Sequence, residues 1–423
     1  MTATQSETAG TLTAHLPWIR TQFPSLSLQA GRPAVYFDGP GGTQVPQAVI
    51  DAISDYLCRS NSNTHGHFET SRRTDETIAA ARSAMSDFLG CAPSEVVFGP
   101  NMTTLTFAMS RAIGRDLSPG DEILITTLDH DANVAPWRAL EERGCVIRQA
   151  DVRTADCTLD LDDLRAKITA RTKLVAVGYA SNAVGTINPV AEIVKIAHSA
   201  GALVFVDAVH YAPHGSIDVR ALDCDFLACS VYKFFGPHVG VLYGKHEHLS
   251  RLRPYKVRPS SDAVPDRWET GTHNHECLAG VTAAVEYLAS IGERLDPVQR
   301  TRRAKLLSAW TAIRHHEAEL SEALITEFTQ IDGLTLYGIR DLAQLAKRTP
   351  TVAIRIDGHS PQELATHLGE RGIFTWDGNY YALNLTQRLG VESSGGMLRI
   401  GLAHYNTREE IESLVTALRE IVR

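Results

Sequence analysis

The sequence predicts an α/β fold: a mostly parallel sheet with helices on both faces, followed by a smaller α+β segment. Three observations predict it. Short apolar runs rich in β-branched residues alternate with helical patterns between about residues 95 and 245. From about residue 295 that alternation gives way to one long helical region and a few separated strands. The length of 423 residues, with 43% hydrophobic content, suffices for two cores.

The elements follow in order. EVVFG (95–99) leads into a helix from Thr103 to about Ile113. EILITT (122–127) precedes a helical segment running through Trp137 to Glu142. KLVAVGYA (173–180) comes before a helix opened by Pro189, and ALVFVDA (202–208) comes after it. DFLACS (225–230) and VGVLYG (239–244) complete the strand runs. Beyond them lie an amphipathic helical region (about 297–327), TVAIRI (351–356) and a helix from Ser360. The loop GIFTWDGNYYALNL (372–385), the strand MLRIGL (397–402) and a helix after Asn406 close the chain.

Several function classes are excluded. A formal net charge of −8 gives no attraction to nucleic acid or to an anionic membrane. No apolar run approaches the ~18 residues of a membrane span, and MTATQSETAG lacks the features of a signal peptide. The seven cysteines carry no CxxC spacing, which fits reduced thiols in a cytoplasmic protein.

The stretch CSVYKFFGPHVG (229–240) sets Lys233 among Tyr232, Phe234 and Phe235. Partial desolvation favours its neutral amine, a nucleophile toward carbonyl carbon. On this stretch alone, a lysine running its stem along an apolar surface with its head in water is the leading reading. Asp207 follows the run ALVFV, at the carboxyl end of a strand, where open parallel sheets bind ligands. A carboxylate there is costly to bury without a partner. Thr103–Thr104, Ser181 and Ser230 stand near other strand ends, and the helix opening near Thr103 offers N–H groups suited to a phosphate. Pyridoxal 5′-phosphate uses all of these: a lysine for its aldehyde, an acid for its ring nitrogen, and a helix terminus with hydroxyls for its phosphate.

VFVDAVHYAPH (204–214), SVYKFFGPHVGVLYG (230–244), DHDANVAPW (129–137), SNAVGTINP (181–189), RWETGTHNH (267–275) and MLRIGLAHYNTREE (397–410) carry a family resemblance. Over nearly its whole length the chain resembles the class V aminotransferases of fold type I, in their cysteine-desulfurase-like branch. The resemblance implies a large domain (31–295) around a mostly parallel seven-stranded sheet and a small C-terminal domain (296–423). An N-terminal segment (1–30) is expected to pack on the small domain. Lys233 is then the Schiff-base lysine, Asp207 the partner of the pyridine nitrogen, and His130 the ring that stacks on the cofactor. Asn182 lies near the cofactor oxygen and the substrate carboxylate, and His210, where many desulfurases carry glutamine, faces the phenolic oxygen. Met102, Thr103, Ser230 and Tyr232 bind the phosphate, although desulfurases often have histidine in place of Tyr232. Arg399 clamps the substrate's α-carboxylate. Thr272 serves the neighbouring subunit's phosphate, which implies a homodimer with shared sites. His65 and His67 border the substrate.

The chain departs from the desulfurase pattern at one decisive place. The mobile cysteine that would carry a persulfide is matched by Tyr381, and no cysteine occurs after Cys277. A phenol is neither a soft nucleophile nor a sulfur acceptor. Trp376 stands where desulfurases often have arginine, and the aromatic loop suggests a bulkier, less charged amino-acid substrate than free cysteine. The first reading is therefore a lyase that eliminates a thiol from Cβ of an S-substituted cysteine, as branch members do in antibiotic pathways such as the lincosamide pathway. The runner-up is decarboxylating oxidative deamination, transamination or epimerisation on the same cofactor. A true desulfurase and a non-catalytic cofactor-binding scaffold rank below both. THNHEC (272–277) sets His273, His275 and Cys277 at period two, a metal-like spacing if extended, but without a second ligand cluster it gives no metal site. DGPGGTQVP (38–46) reads as a glycine-rich turn open to substrate.

Overall fold

The computed structural model describes residues 11–27 and 34–422. A seven-stranded sheet forms its centre. In chain order the strands are β1 (Val96–Gly99), β2 (Glu122–Thr126), β3 (Val146–Ala150), β4 (Thr172–Gly178), β5 (Leu203–Asp207), β6 (Phe226–Ser230) and β7 (Gly240–Gly244). Their spatial order is β1-β7-β6-β5-β4-β2-β3. Neighbouring strands pair in parallel from β3 to β6, whereas β7 runs antiparallel to both β6 and β1.

The alternation of side chains explains why these runs fold into a two-faced sheet. Leu124, Leu227, Cys229 and Val241 pack into one apolar cluster, while their neighbours Ile123, Ile125, Phe226, Ala228 and Leu242 pack into another on the opposite face. All five residues of β2, β6 and β7 are buried. Burial of each large side chain contributes about 2 kcal/mol, so the strands are held by both faces and not by their edges.

A second sheet has four antiparallel strands: β8 (Leu334–Tyr337), β9 (Thr351–Ile356), β10 (Trp376–Gly378) and β11 (Met397–Gly401), in the order β8-β9-β11-β10. It shares a separate core with the helices Arg302–Phe328, Pro361–Glu370 and Arg408–Val422. Ser360 caps the second of these through a reciprocal pair with Glu363. Val35–Tyr36 pairs with Ile373–Phe374, and Asp38 bridges to Gly401, so the Asp38 turn lies against β11.

The expected 1–30 segment lies outside the described residues at 1–10 and 28–30. Between them, the helix Leu12–Thr21 buries Leu12, Leu16 and Ile19. Arg20 of this helix donates to Glu410 Oε1 and to the Tyr405 carbonyl, both at 2.8 Å.

Two local expectations change. The segment through Trp137 to Glu142 is not one helix but short pieces, Asp131–Asn133, Ala135–Arg138 and Ala139–Arg143. Pro136 lacks the N–H that a continuous helix needs there, and Trp137 Nε1 is instead anchored on Asn133 Oδ1 at 3.1 Å. THNHEC is not extended, because His275 opens the helix His275–Leu295 and His273 Nε2 lies 2.8 Å from Glu269.

Candidate active site

The carboxyl ends of β2, β4, β5 and β6 open into a cavity of about 1140 Å³, closed on its far side by the Asp38 turn, the 376–381 segment and Arg399. Lys233 follows β6 on a short 3-10 turn (Val231–Lys233). Its Nζ donates to the carbonyls of Pro40 and Gly41 and lies 4.7 Å from the centre of the Tyr232 ring. Burial, then the nearby Arg399 guanidinium, push its ammonium down to about 8. A cavity amine that sheds its proton near neutrality is equipped for nucleophilic and proton-transfer work.

Asp207 closes β5 and is 5% exposed. Its Oδ1 accepts the Val209 N–H at 2.9 Å, while among the described residues no group bonds its second oxygen. Burial raises this carboxyl to about 6. A buried carboxylate with one oxygen free in a cavity is satisfied by an N–H donor, which a protonated pyridine nitrogen provides. The buried Asn182 Oδ1 and Arg399 Nε also lack partners among the described residues. On both counts these residues fit pyridoxal 5′-phosphate and an amino-acid carboxylate.

His130 Nδ1 accepts the Ala132 N–H at 3.0 Å, so the neutral ring carries its proton on Nε2. Burial, followed by the charges of Lys233 and Arg399, lowers it to about 4, and it enters the chemistry neutral. His210 Nε2 lies 3.0 Å from Thr349 Oγ1, leaving Nδ1 as the ring nitrogen without a partner among the described residues. Met102 opens the helix Met102–Gly114, and its N–H donates to Ser230 Oγ at 3.0 Å. Thr103 and Tyr232 line the same corner.

Arg399 on β11 is 4% exposed. It donates to the Asn182 carbonyl at 3.1 Å and to Asp38 Oδ1 at 3.2 Å, and lies 4.5 Å from the centre of the Tyr380 ring. Asn182 in turn donates to the Tyr380 carbonyl at 2.8 Å. Trp376 and Tyr381 stand exposed at the rim.

Three of the expected site residues, Thr272, His65 and the exposed His67, lie outside this lining. Thr272 lines a neighbouring cavity of about 320 Å³, which shares Thr104 and His238 with the first. His65 points its side chain into solvent beside Asp75, 3.3 Å away. Conversely, Asp38, Asp129 and His238 line the cavity without having been singled out. Asp129 was findable, since it precedes His130; burial raises it to about 7 while Thr126 and Asn133 bond it. Asp38 opens the stretch read only for its glycines. Gly41 permits its carboxylate, because a Cβ there would sit 2.3 Å from Asp38 Oδ2.

None of the cysteines lines the cavity. Cys145, Cys157, Cys224 and Cys229 are buried, Cys91 and Cys277 half-buried, and Cys58 exposed.

Comparison with known proteins agrees with this architecture. The family model "Aminotransferase class-V" matches residues 35–414. A cysteine desulfurase of Synechococcus elongatus is 35% identical over 99% of this chain, which spans 66% of that protein. A probable cysteine desulfurase of Halalkalibacterium halodurans is 32% identical over 95% of this chain and 97% of its own. The apo structure of a cysteine desulfurase from Thermococcus onnurineus superposes with a TM-score of 0.85 at 27% identity, covering 96% of this chain and 98% of that one. The chain belongs to the class-V aminotransferases, a family of pyridoxal 5′-phosphate enzymes of fold type I.

Proposed function

We propose that the protein is a C–S lyase that eliminates a thiol from Cβ of an S-substituted cysteine. One observation carries this reading: the cavity has the lysine, acid and arginine of amino-acid chemistry, yet its lining holds no cysteine to accept sulfur. The relatives' printed activity needs such an acceptor; elimination does not.

When bound, pyridoxal 5′-phosphate supplies a sink for the electron pair released at Cα. Asp207, with one oxygen free, would hold the ring nitrogen, and neutral His130 would cover the ring. Arg399 would hold the α-carboxylate with its unpaired Nε and with the N–H groups that Asp38 and the Asn182 carbonyl now share, which orients the Cα–H bond. Lys233, lowered to about 8, is neutral often enough at physiological pH to take the Cα proton on Nζ. The Cβ–S bond then breaks with its electron pair going to sulfur, and the Tyr381 hydroxyl at the rim protonates the departing thiolate. With one water the balance is thiol, pyruvate and ammonia. Trp376 and Tyr381 give the sulfur substituent an aromatic wall.

The working assembly in this reading is a homodimer. Its support is Thr272, which stands outside the cavity of its own chain, beside a second cavity, and is free to complete the partner's phosphate site. The free state of all seven cysteines supports a reducing, cytoplasmic setting.

The test is incubation of the purified holoenzyme with free cysteine and a panel of S-alkyl and S-aryl cysteines, with products followed by mass. Thiol and pyruvate in equal amounts from the S-substituted compounds are expected. A protein-bound persulfide from free cysteine overturns the reading. So does carbon dioxide, a transferred amino group or an inverted Cα as the main outcome.

A further inference from the structure

The phosphate corner has few donors of its own. Of the first-turn N–H groups of the Met102–Gly114 helix, Met102 is bonded to Ser230 Oγ, Thr104 to Asn101 Oδ1 at 2.8 Å, and Leu105 to the Asn101 carbonyl at 3.2 Å. Thr103 keeps the one N–H of that turn without a partner among the described residues. A phosphate carries up to two negative charges, and one backbone donor with neutral hydroxyls compensates them poorly.

The cations lining the cavity are mostly engaged elsewhere. Lys233 is held by the Pro40 and Gly41 carbonyls, Arg399 by Asp38 and Asn182, and His130 and His210 each have one ring nitrogen bonded. His238 differs. It is exposed, lines the cavity, and makes no hydrogen bond to any described residue. Its ring stacks on Tyr232 with centroids 4.7 Å apart and planes 15° from parallel. The backbone beside it is fixed against the helix N-terminus: a Cβ on Gly240 would lie 2.4 Å from the Asn101 carbonyl carbon.

We infer that His238 is a phosphate-binding residue, supplying the corner with its ring N–H. Tyr232 orients it by stacking, so the aromatic pair acts as a unit: one ring sets the other's plane toward Thr103 and Ser230. The inference rests on the cofactor's phosphate sitting at the Met102–Gly114 helix and not on the elimination chemistry. The two can therefore fail separately.

The experiment compares reconstitution of the protein, freed of cofactor, with pyridoxal 5′-phosphate and with pyridoxal, which lacks the phosphate. Binding is read by absorbance and by the cofactor retained after gel filtration. His238→Ala and His238→Gln are expected to weaken pyridoxal 5′-phosphate more than about tenfold, the scale of a charge-assisted hydrogen bond, and to leave pyridoxal unchanged. His238→Arg restores the preference for the phosphorylated form. Unchanged affinity for both compounds in His238→Gln overturns the inference. A parallel loss of both overturns it too, because that marks a purely structural stack. His238→Gln keeps a planar polar side chain and serves where the alanine variant does not fold.

Discussion

Tyr381 stacks on His130, with ring centroids 5.3 Å apart and planes 25° from parallel. Asp131 N–H donates to the Tyr381 carbonyl at 2.7 Å, so backbone and rings fasten the two segments together. Tyr381 holds a left-handed φ of +60° and is 71% exposed. A bulky residue kept in that region costs about 1 kcal/mol or more, and such strain concentrates at functional positions. The stack sets the phenol beside the ring expected to cover the cofactor, within the mouth of the cavity.

If its hydroxyl protonates the leaving thiolate, Tyr381→Phe lowers kcat by about a hundredfold or more with KM little changed. Tyr381→Ala also raises KM, since it removes the ring that meets the substituent. A phenylalanine variant with full turnover reduces Tyr381 to a wall. The comparison needs a substrate with a poor leaving thiol, where protonation matters most.

Lys233 gives a pH signature. Its amine is lowered to about 8, chiefly by burial, and the neutral form is the nucleophile. Cofactor capture by the unloaded protein should therefore speed up with rising pH, roughly tenfold per unit below about 8, and level off above it. The direction follows because acid protonates the attacking amine. Lys233→Ala should lose both the covalent visible band and turnover. A capture rate flat between pH 6 and 9 contradicts the assignment.

The cysteines should be silent. Each of the seven, replaced singly by serine or alanine, is expected to leave turnover of an S-substituted cysteine within about tenfold, about 1.4 kcal/mol of barrier. Cys157 and Cys229 are fully buried, and their thiols are pushed up by burial, Cys157 to about 11, which makes poor nucleophiles of both. Their variants need a melting curve beside the assay, because a buried replacement acts through packing. One cysteine whose loss abolishes activity in a folded protein would restore the persulfide chemistry.

Six of the seven central strands were legible as apolar runs bounded by turn residues, whereas the edge strand Val146–Ala150, with exposed and half-buried positions in alternation, gave no such run. Leu203–Asp207 and Phe226–Ser230 fall within a residue or two of the runs read from sequence. The Trp137 segment misled because its apolar residues keep a helical spacing, while Pro136 and the Asn133 anchor break the backbone. In the site, residues inside strong local patterns were visible: Lys233 among aromatics, Asp207 after a strand. Asp38 and His238 were not, since their meaning comes from groups far away in the chain. Asp38 matters through Arg399, 361 positions on, and His238 through the cavity corner it shares with the Asn101 turn, which packs on Gly240. No local pattern encodes a partner that distant.

The Asp38–Arg399 pair separates binding from chemistry. Arg399 is buried, its fork divided between Asp38 and the Asn182 carbonyl, with Nε unpaired among the described residues. A lysine has the charge but not the rigid planar fork, so it cannot reproduce the paired N–H geometry of the guanidinium. Arg399→Lys should lose about 2 kcal/mol of carboxylate binding, about thirtyfold in kcat/KM. Most of it should appear as raised KM, because the α-carboxylate is held equally before and during proton transfer. Asp38→Asn has the opposite expectation for binding. The carboxylate of Asp38 competes with the substrate's for the same guanidinium, so its neutral replacement should tighten carboxylate inhibitors while loosening the arginine's orientation and lowering kcat. Burial raises the Asp38 carboxyl despite Arg399, so desolvation works against its charged form in the pair. An Asp38→Asn variant that weakens inhibitor binding instead would make Asp38 a support for Arg399 and not its counter-ion.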